Sequence, residues 1–84
     1  MYTINFDPEA IDFLKKIEKN TAKRIWNKIL STKENPHRYF ERLVGRTDYK
    51  LRVGDYRIIA DISNENKTIQ ILLIGKRENV YKKI

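Results

Sequence analysis

The chain has 84 residues, too few for a second core or for a large cofactor beside a separate substrate domain. A chain of this size buries roughly 60% of the surface it exposes when unfolded, so nearly every apolar side chain must share one core and a single domain over residues 1–84 is expected. Eighteen basic residues against 11 acidic ones give a net charge of +7, and the pI of about 9.8 is in the range where a nucleic-acid footprint is worth seeking. The absence of cysteine excludes disulfide scaffolds, thiolate zinc sites and cysteine nucleophiles, and permits a reducing, cytoplasmic setting. The longest apolar run, Ile71 to Ile74, is far too short for a membrane span, and the opening Met1-Tyr2-Thr3-Ile4-Asn5 has no signal-peptide core, so no membrane association is expected.

Residues 2–6 alternate, with Tyr2, Ile4 and Phe6 against Thr3 and Asn5, and predict a short strand. Asp7-Pro8-Glu9 then supplies a cap oxygen, a proline whose missing N–H costs nothing at the first helical position, and a carboxylate at the positive end of the helix dipole. A helix starts there, with Ala10, Phe13 or Leu14, and Ile17 as its apolar stripe. Asn20-Thr21 is expected to end it and cap a second helix, in which Ala22, Ile25, Trp26, Ile29 and Leu30 recur at helical spacing opposite Lys23, Arg24, Asn27 and Lys28. That stripe is read as core, and Asn35-Pro36 terminates the helix.

Residues 36–47 lack a period and are read as a loop anchored by Leu43 and Val44. Tyr49 to Val53 and Tyr56 to Ile62 then alternate on either side of Gly54-Asp55, the pattern of a two-residue hairpin. Ser63-Asn64-Glu65-Asn66 forms the next turn. Thr68 to Ile74, apolar on both faces, predicts an internal strand. The tail from Gly75 leaves the sheet and has room for a short helical turn. The fold expected is α+β: two N-terminal helices packed on a mainly antiparallel four-stranded sheet, in the order β-α-α-β-β-β.

The hairpin dictates where the charges go. With Gly54-Asp55 as the turn, Val53 faces Tyr56, Arg52 faces Arg57, Leu51 faces Ile58, and Lys50 faces Ile59 on a diagonal to Arg57. Like charges directly opposite destabilise a sheet by up to ~1 kcal/mol. The three cations therefore call for neutralisation, either by nearby carboxylates (Asp48, Asp61, Glu78) or by an anion from outside. Five of the seven arginines (Arg38, Arg42, Arg46, Arg52, Arg57) lie between residues 38 and 57, interleaved with Tyr39, Phe40, Tyr49 and Tyr56. Forked guanidinium groups suit phosphates and aromatic rings suit bases, so an RNA or DNA contact belongs in this segment. Other chemistries fail by inventory. One histidine, His37, in a loop after Pro36, cannot build a metal site alone, and no serine elbow or phosphate-cradling glycine loop occurs. No metal and no cofactor is expected.

Leu43-Val44-Gly45, Tyr49-Lys50-Leu51-Arg52-Val53-Gly54-Asp55-Tyr56-Arg57-Ile58-Ile59 and Ile74-Gly75-Lys76-Arg77-Glu78-Asn79-Val80-Tyr81 together resemble the RelE/ParE superfamily of type II toxins, over essentially the whole chain. The ending Gly-Lys-Arg followed by Val-Tyr points to the RelE branch. The resemblance implies a ribosome-dependent mRNA endoribonuclease that inhibits translation without a metal, by attack of a ribose 2′-OH on the adjacent phosphate. Carried over residue by residue, it makes Tyr81 the group that activates the 2′-OH, Arg57 the clamp on the scissile phosphate, Arg77 the neighbour of the leaving 5′-oxygen, and Lys50 a further stabiliser of charge. Guanidinium groups hold their protons too firmly to be ready acids, so electrostatic stabilisation is the first role of Arg77. Arg46, Arg52, Lys76 and Lys82 are the expected RNA-binding cations around these four.

Two departures from the family prototype stand out: Asp48 occupies the place of its first catalytic lysine, and the stretch from Arg77 to Tyr81 is shorter by two residues. The resemblance also implies a RelB-like antitoxin that masks the cationic face, a toxin–antitoxin heterotetramer that binds operator DNA, and the ribosome and mRNA as targets. The alternatives are a ParE-like inhibitor of DNA gyrase and a non-catalytic RNA- or ribosome-binding module.

Overall fold

The computed structural model describes residues 1–84, in the order β1 (Thr3–Phe6), α1 (Pro8–Lys16), α2 (Lys19–Leu30), a 3-10 turn (Pro36–Arg38), β2 (Glu41–Arg42), β3 (Tyr49–Val53), β4 (Tyr56–Ser63), β5 (Thr68–Lys76) and α3 (Arg77–Lys83). The sheet has five strands in the order β1-β5-β4-β3-β2, antiparallel except where β1 runs parallel to β5. The expectation of four strands and two helices is thus corrected to five and three. The extra strand, β2, is two residues long and pairs Glu41 with Lys50 and Arg42 with Tyr49; two residues are too few to show a period. The extra helix follows the sheet. Its seven residues include a single buried one, Val80, so it carries no sequence stripe and depends on what it packs against.

The hairpin forms as the arithmetic requires: Val53 faces Tyr56, Arg52 faces Arg57, Leu51 faces Ile58 and Lys50 faces Ile59. Gly54 takes φ +57 at the first turn position, a conformation that glycine adopts without steric penalty. Capping differs from the sequence reading. Asp7 is the N-cap residue of α1, but its carboxylate accepts from Gln70 Nε2 at 2.6 Å instead of capping the helix. The second helix starts two residues earlier than Asn20-Thr21 suggests, because Glu18 reaches forward to accept from the Thr21 backbone N–H at 2.9 Å and its hydroxyl at 3.1 Å. The Thr21 N–H bond holds the Glu18 carboxyl below its usual range.

The main core lies between one face of the sheet and the α1–α2 pair, where Ala10, Ile25 and Ile29 meet Leu51, Val53, Ile58, Ala60, Ile69, Ile71 and Ile74. Trp26 is not sealed inside; it stacks on Phe6 at 4.9 Å and stays partly exposed. The opposite face holds a smaller cluster of Ile59, Leu73 and Val80, closed by α3. A register shift makes this possible. Ile59 pairs with Leu73 but Ala60 pairs with Ile71, leaving Leu72 as an extra residue on β5. Strict alternation from Ile69 and Ile71 would turn Leu73 and Gly75 toward α1 and α2; the bulge turns them to the other face, where α3 folds back.

Candidate active site

Three devices bring the cationic side chains together. The hairpin register sets Arg52 beside Arg57, and β4–β5 pairing continues that row to Gly75. The Arg77 N–H donates to the Asp55 carbonyl at 2.9 Å, tying the first residue of α3 to the hairpin turn. A Cβ on Gly75 would lie 2.8 Å from Val80 Cγ2, so the missing side chain lets α3 sit directly on the strand. Chain spacing alone does not set the position of Arg77 and Tyr81 relative to the hairpin; these contacts do.

The result is an open basin of about 590 Å³ lined by Lys28, Arg38, Tyr39, Glu41, Lys50, Leu51, Arg52, Arg57, Arg77 and Tyr81. It gathers all four residues assigned catalytic roles by resemblance, Lys50, Arg57, Arg77 and Tyr81, together with Arg52. Arg46, Lys76 and Lys82 lie outside it: Arg46 lines the 42–48 loop, and Lys76 and Lys82 flank a separate groove under α3. Arg38 and Tyr39 bring to the basin part of the arginine- and aromatic-rich segment expected to contact nucleic acid, whereas Lys28 and Glu41 join it with no sequence signal of their own. Lys28 belongs to the polar side of α2, which reads as a solvated face, and only the tertiary fold swings it to the sheet edge.

Six Lys and Arg side chains therefore face one carboxylate, Glu41. Neither of the chain's two ion pairs, Arg46–Asp48 at 3.1 Å and Lys83–Glu9 at 3.7 Å, involves a basin residue. Asp48 does not quench the hairpin cluster; its carboxylate is held by Arg46 Nε and Nη2 at 3.2 and 3.1 Å. That bond draws the Asp48 carboxyl below its usual range and pushes the Arg46 guanidinium up. Asp61 and Glu78 make no ion pair with the cluster either. Glu41, across from Lys50, offsets part of the charge, and the excess of cations leaves room for an anion from outside.

Arg57 is the most deeply set of these cations, 7% exposed. Its Nη1 donates to the Gly54 carbonyl at 2.8 Å and the Tyr56 carbonyl at 2.9 Å. These bonds fix the guanidinium plane against the turn, while its other nitrogens retain access to solvent. A largely buried guanidinium that is oriented by carbonyls and lacks a carboxylate partner is suited to receive an anion, because its orientation and part of its desolvation precede the anion's arrival. Tyr81, 39% exposed on α3, stands at the same basin. No cluster of three or more His, Cys, Asp or Glu side chains is arranged to hold a metal ion; the polar groups that line the basin are ammonium, guanidinium, phenol and the single carboxylate of Glu41.

Comparison with known proteins agrees with this architecture. The family model for the ParE toxin of the type II toxin–antitoxin system parDE matches residues 4–81. The chain is 26% identical over 80 residues to the mRNA interferase toxin RelE of Escherichia coli (strain K12), covering 92% of this chain and 84% of that protein. Among solved structures, the toxin–antitoxin complex RelBE2 from Mycobacterium tuberculosis superimposes with a TM-score of 0.82 at 24% identity, over 90% of this chain and 98% of the other. The isolated E. coli RelE toxin gives 0.76 at 22% identity, over 99% and 94%. With four-fifths of the chain and more inside the family match, this protein belongs to the ParE toxin family of type II toxin–antitoxin systems, on its RelE-like branch.

Proposed function

We propose that this toxin is a ribosome-dependent mRNA endoribonuclease whose active site is the cationic basin. The observation that carries the reading is a pocket in which Lys50, Arg52, Arg57 and Arg77 surround open space beside Tyr81 with no ion pair to any of them. The likeness to a relative named an mRNA interferase supports the same reading. In the reaction, a ribose 2′-oxygen forms a bond to the adjacent phosphorus and the bond from phosphorus to the 5′-oxygen breaks, leaving a 2′,3′-cyclic phosphate and a 5′-hydroxyl. Tyr81 takes up the 2′ proton, with the surrounding cations balancing the charge of the phenolate that does so. Arg57 holds the non-bridging phosphate oxygens, Lys50 adds charge to the pentacoordinate dianion, and Arg77 stabilises the departing oxygen, which is protonated from solvent. Arg52 is the cation left to stand in for the lysine that Asp48 replaces, since Arg46 is engaged by Asp48. Arg46, Lys76 and Lys82 contact phosphates further along the strand.

A basin this open has few means of orienting an RNA strand unaided, which is why positioning falls to the ribosome. The partner is a RelB-like antitoxin, in a heterotetramer that also binds operator DNA; an acidic amphipathic segment suits a +7 surface. The complex works in the cytoplasm.

The test adds purified protein to a translating extract and maps message ends by primer extension. Cuts within A-site codons are expected from the wild type, falling by about 10²- to 10³-fold in Arg57→Ala, as for loss of one preorganised donor, and also falling in Arg77→Ala and Tyr81→Phe. Undiminished cutting by Arg57→Ala would remove the proposal. The family match is to a ParE toxin model, so a gyrase supercoiling assay runs in parallel. Intact messages with blocked supercoiling would establish the ParE-like activity, and RNA binding that survives Tyr81→Phe with no cuts would establish a non-catalytic module.

A further inference from the structure

Four aromatic side chains are interleaved with the arginines of residues 38–57, and the fold treats them unequally. Phe40 is buried, and Tyr49 and Tyr56 pack against the main core. The Tyr49 ring meets His37 edge-on at 5.6 Å and Tyr56 meets Phe13 at 6.0 Å. Only Tyr39 both remains 37% exposed and lines the basin.

Its placement is fixed by the chain on both sides. The N–H groups of Tyr39 and Phe40 both donate to the Pro36 carbonyl, at 3.0 and 2.9 Å, and Pro36 and Phe40 are themselves buried. Tyr39 stands two residues before Glu41, which pairs with Lys50, and it lines the same basin as Arg52 and Arg57. Lys28 sends its Nζ across from α2 to stand 5.1 Å from the Tyr39 ring centroid. An aromatic ring carried on a hydrogen-bonded turn, accompanied by an ammonium and lining the same basin as the arginines, matches the composition of single-strand nucleic-acid sites, where a base stacks on a ring and a cation meets its phosphate.

We propose that Tyr39 and Lys28 form a nucleobase subsite at the basin rim, in which the base beside the scissile phosphate stacks on the Tyr39 ring while Lys28 meets the flanking phosphate. The subsite rests on the nuclease reading above and adds a positioning residue to it: Tyr39 acts on the register of the strand and takes no part in proton transfer.

The experiment maps ribosomal cut sites for wild type, Tyr39→Leu, Tyr39→Phe and Lys28→Ala, with thermal unfolding of each variant. Tyr39→Leu is expected to cut about 5- to 150-fold more slowly, the equivalent of one base-on-aromatic stack. The loss should be greatest at sites with a purine beside the cut, since purines offer the larger stacking surface. Tyr39→Phe keeps the ring and should retain both rate and site distribution; Lys28→Ala should lose rate with a shallower salt dependence. Unfolding midpoints should stay near that of the wild type. Wild-type cutting by Tyr39→Leu, a loss spread evenly over purine and pyrimidine sites, or a loss shared by Tyr39→Phe would each overturn the subsite. Absence of cutting by the wild type would instead overturn the nuclease reading, before any Tyr39 variant is compared.

Discussion

Arg57 and Ile58 are adjacent in β4 and point to opposite faces of the sheet. Ile58 is sealed beneath α1 and α2 among a dozen buried residues. Arg57 is nearly as buried, yet it is held only by two backbone carbonyls and borders an unneutralised basin. On the helix side every contact lowers the free energy of the fold. On the other side the like-charged pair Arg52–Arg57 opposes folding, and a short helix with a single buried residue is all that covers the sheet. The contrast puts the larger buried core on one face and the proposed active site on the other, and substitutions on the two faces should separate accordingly.

The largest effect on folding is expected from Ile29→Ala, which empties a fully buried position on α2. Such truncations cost about 2–5 kcal/mol, a large part of the stability of a domain this small. Chemical denaturation should show the midpoint falling while whatever remains folded keeps its activity per molecule. Arg57→Ala should do the reverse. Its loss of cutting is comparable in free energy, while the unfolding free energy stays within about 1 kcal/mol of the wild type, because relief of the Arg52 repulsion offsets two lost hydrogen bonds to carbonyls. A collapse in stability on losing Arg57 would erase the division between the faces.

Gly75→Ala tests the joint between them. The new Cβ meets Val80 Cγ2 at 2.8 Å, and α3, with few other anchors, is the part free to move. A cost of about 1–3 kcal/mol is expected from overpacking, together with a loss of cutting as Arg77 and Tyr81 shift. A double-mutant cycle with Val80→Ala checks the cause: removing the valine methyls should make the added alanine methyl nearly harmless, giving a clear coupling term. Independent, additive losses would mean that α3 is positioned by something other than this contact.

How much of this was legible in the sequence follows the range of the interactions. The hairpin could be aligned residue by residue because a two-residue turn and a period of two leave no freedom in register, and the Arg52–Arg57 pair followed directly. The strand β2 is not legible because two residues are too few for a period. Helix α3 is legible only as room for a short helical turn, because its one buried side chain leaves no stripe and its placement rests on Gly75, Ile59, Leu73 and the Asp55 carbonyl. The bulge at Leu72 is invisible in a run apolar on both faces, although it decides which face Gly75 serves. The site divided the same way. Lys50, Arg52 and Arg57 are fixed by local pairing, whereas Lys28 and Tyr39 reach the basin from α2 and the 3-10 turn, and no spacing rule connects those segments to the hairpin.

The smallest effect concerns the arginine that the fold keeps away from the basin. Arg46 is engaged by Asp48, whose carboxyl is thereby held below the ordinary range. A carboxylate with a depressed folded-state pKa adds stability that is fully present above its unfolded value, near 4. That stability is lost as pH falls through the lower folded value. Asp48→Asn should therefore lower the melting midpoint slightly at neutral pH, and less and less below about pH 4, until the variant and wild-type curves meet in acid. High salt should narrow the neutral-pH gap, since the guanidinium is partly exposed. Cutting should fall little or not at all, because Asp48 lies outside the basin. An Asp48→Asn variant that instead cuts much better than wild type would mean that a freed Arg46 swings into the basin, and that the pair restrains activity rather than merely bracing the loop.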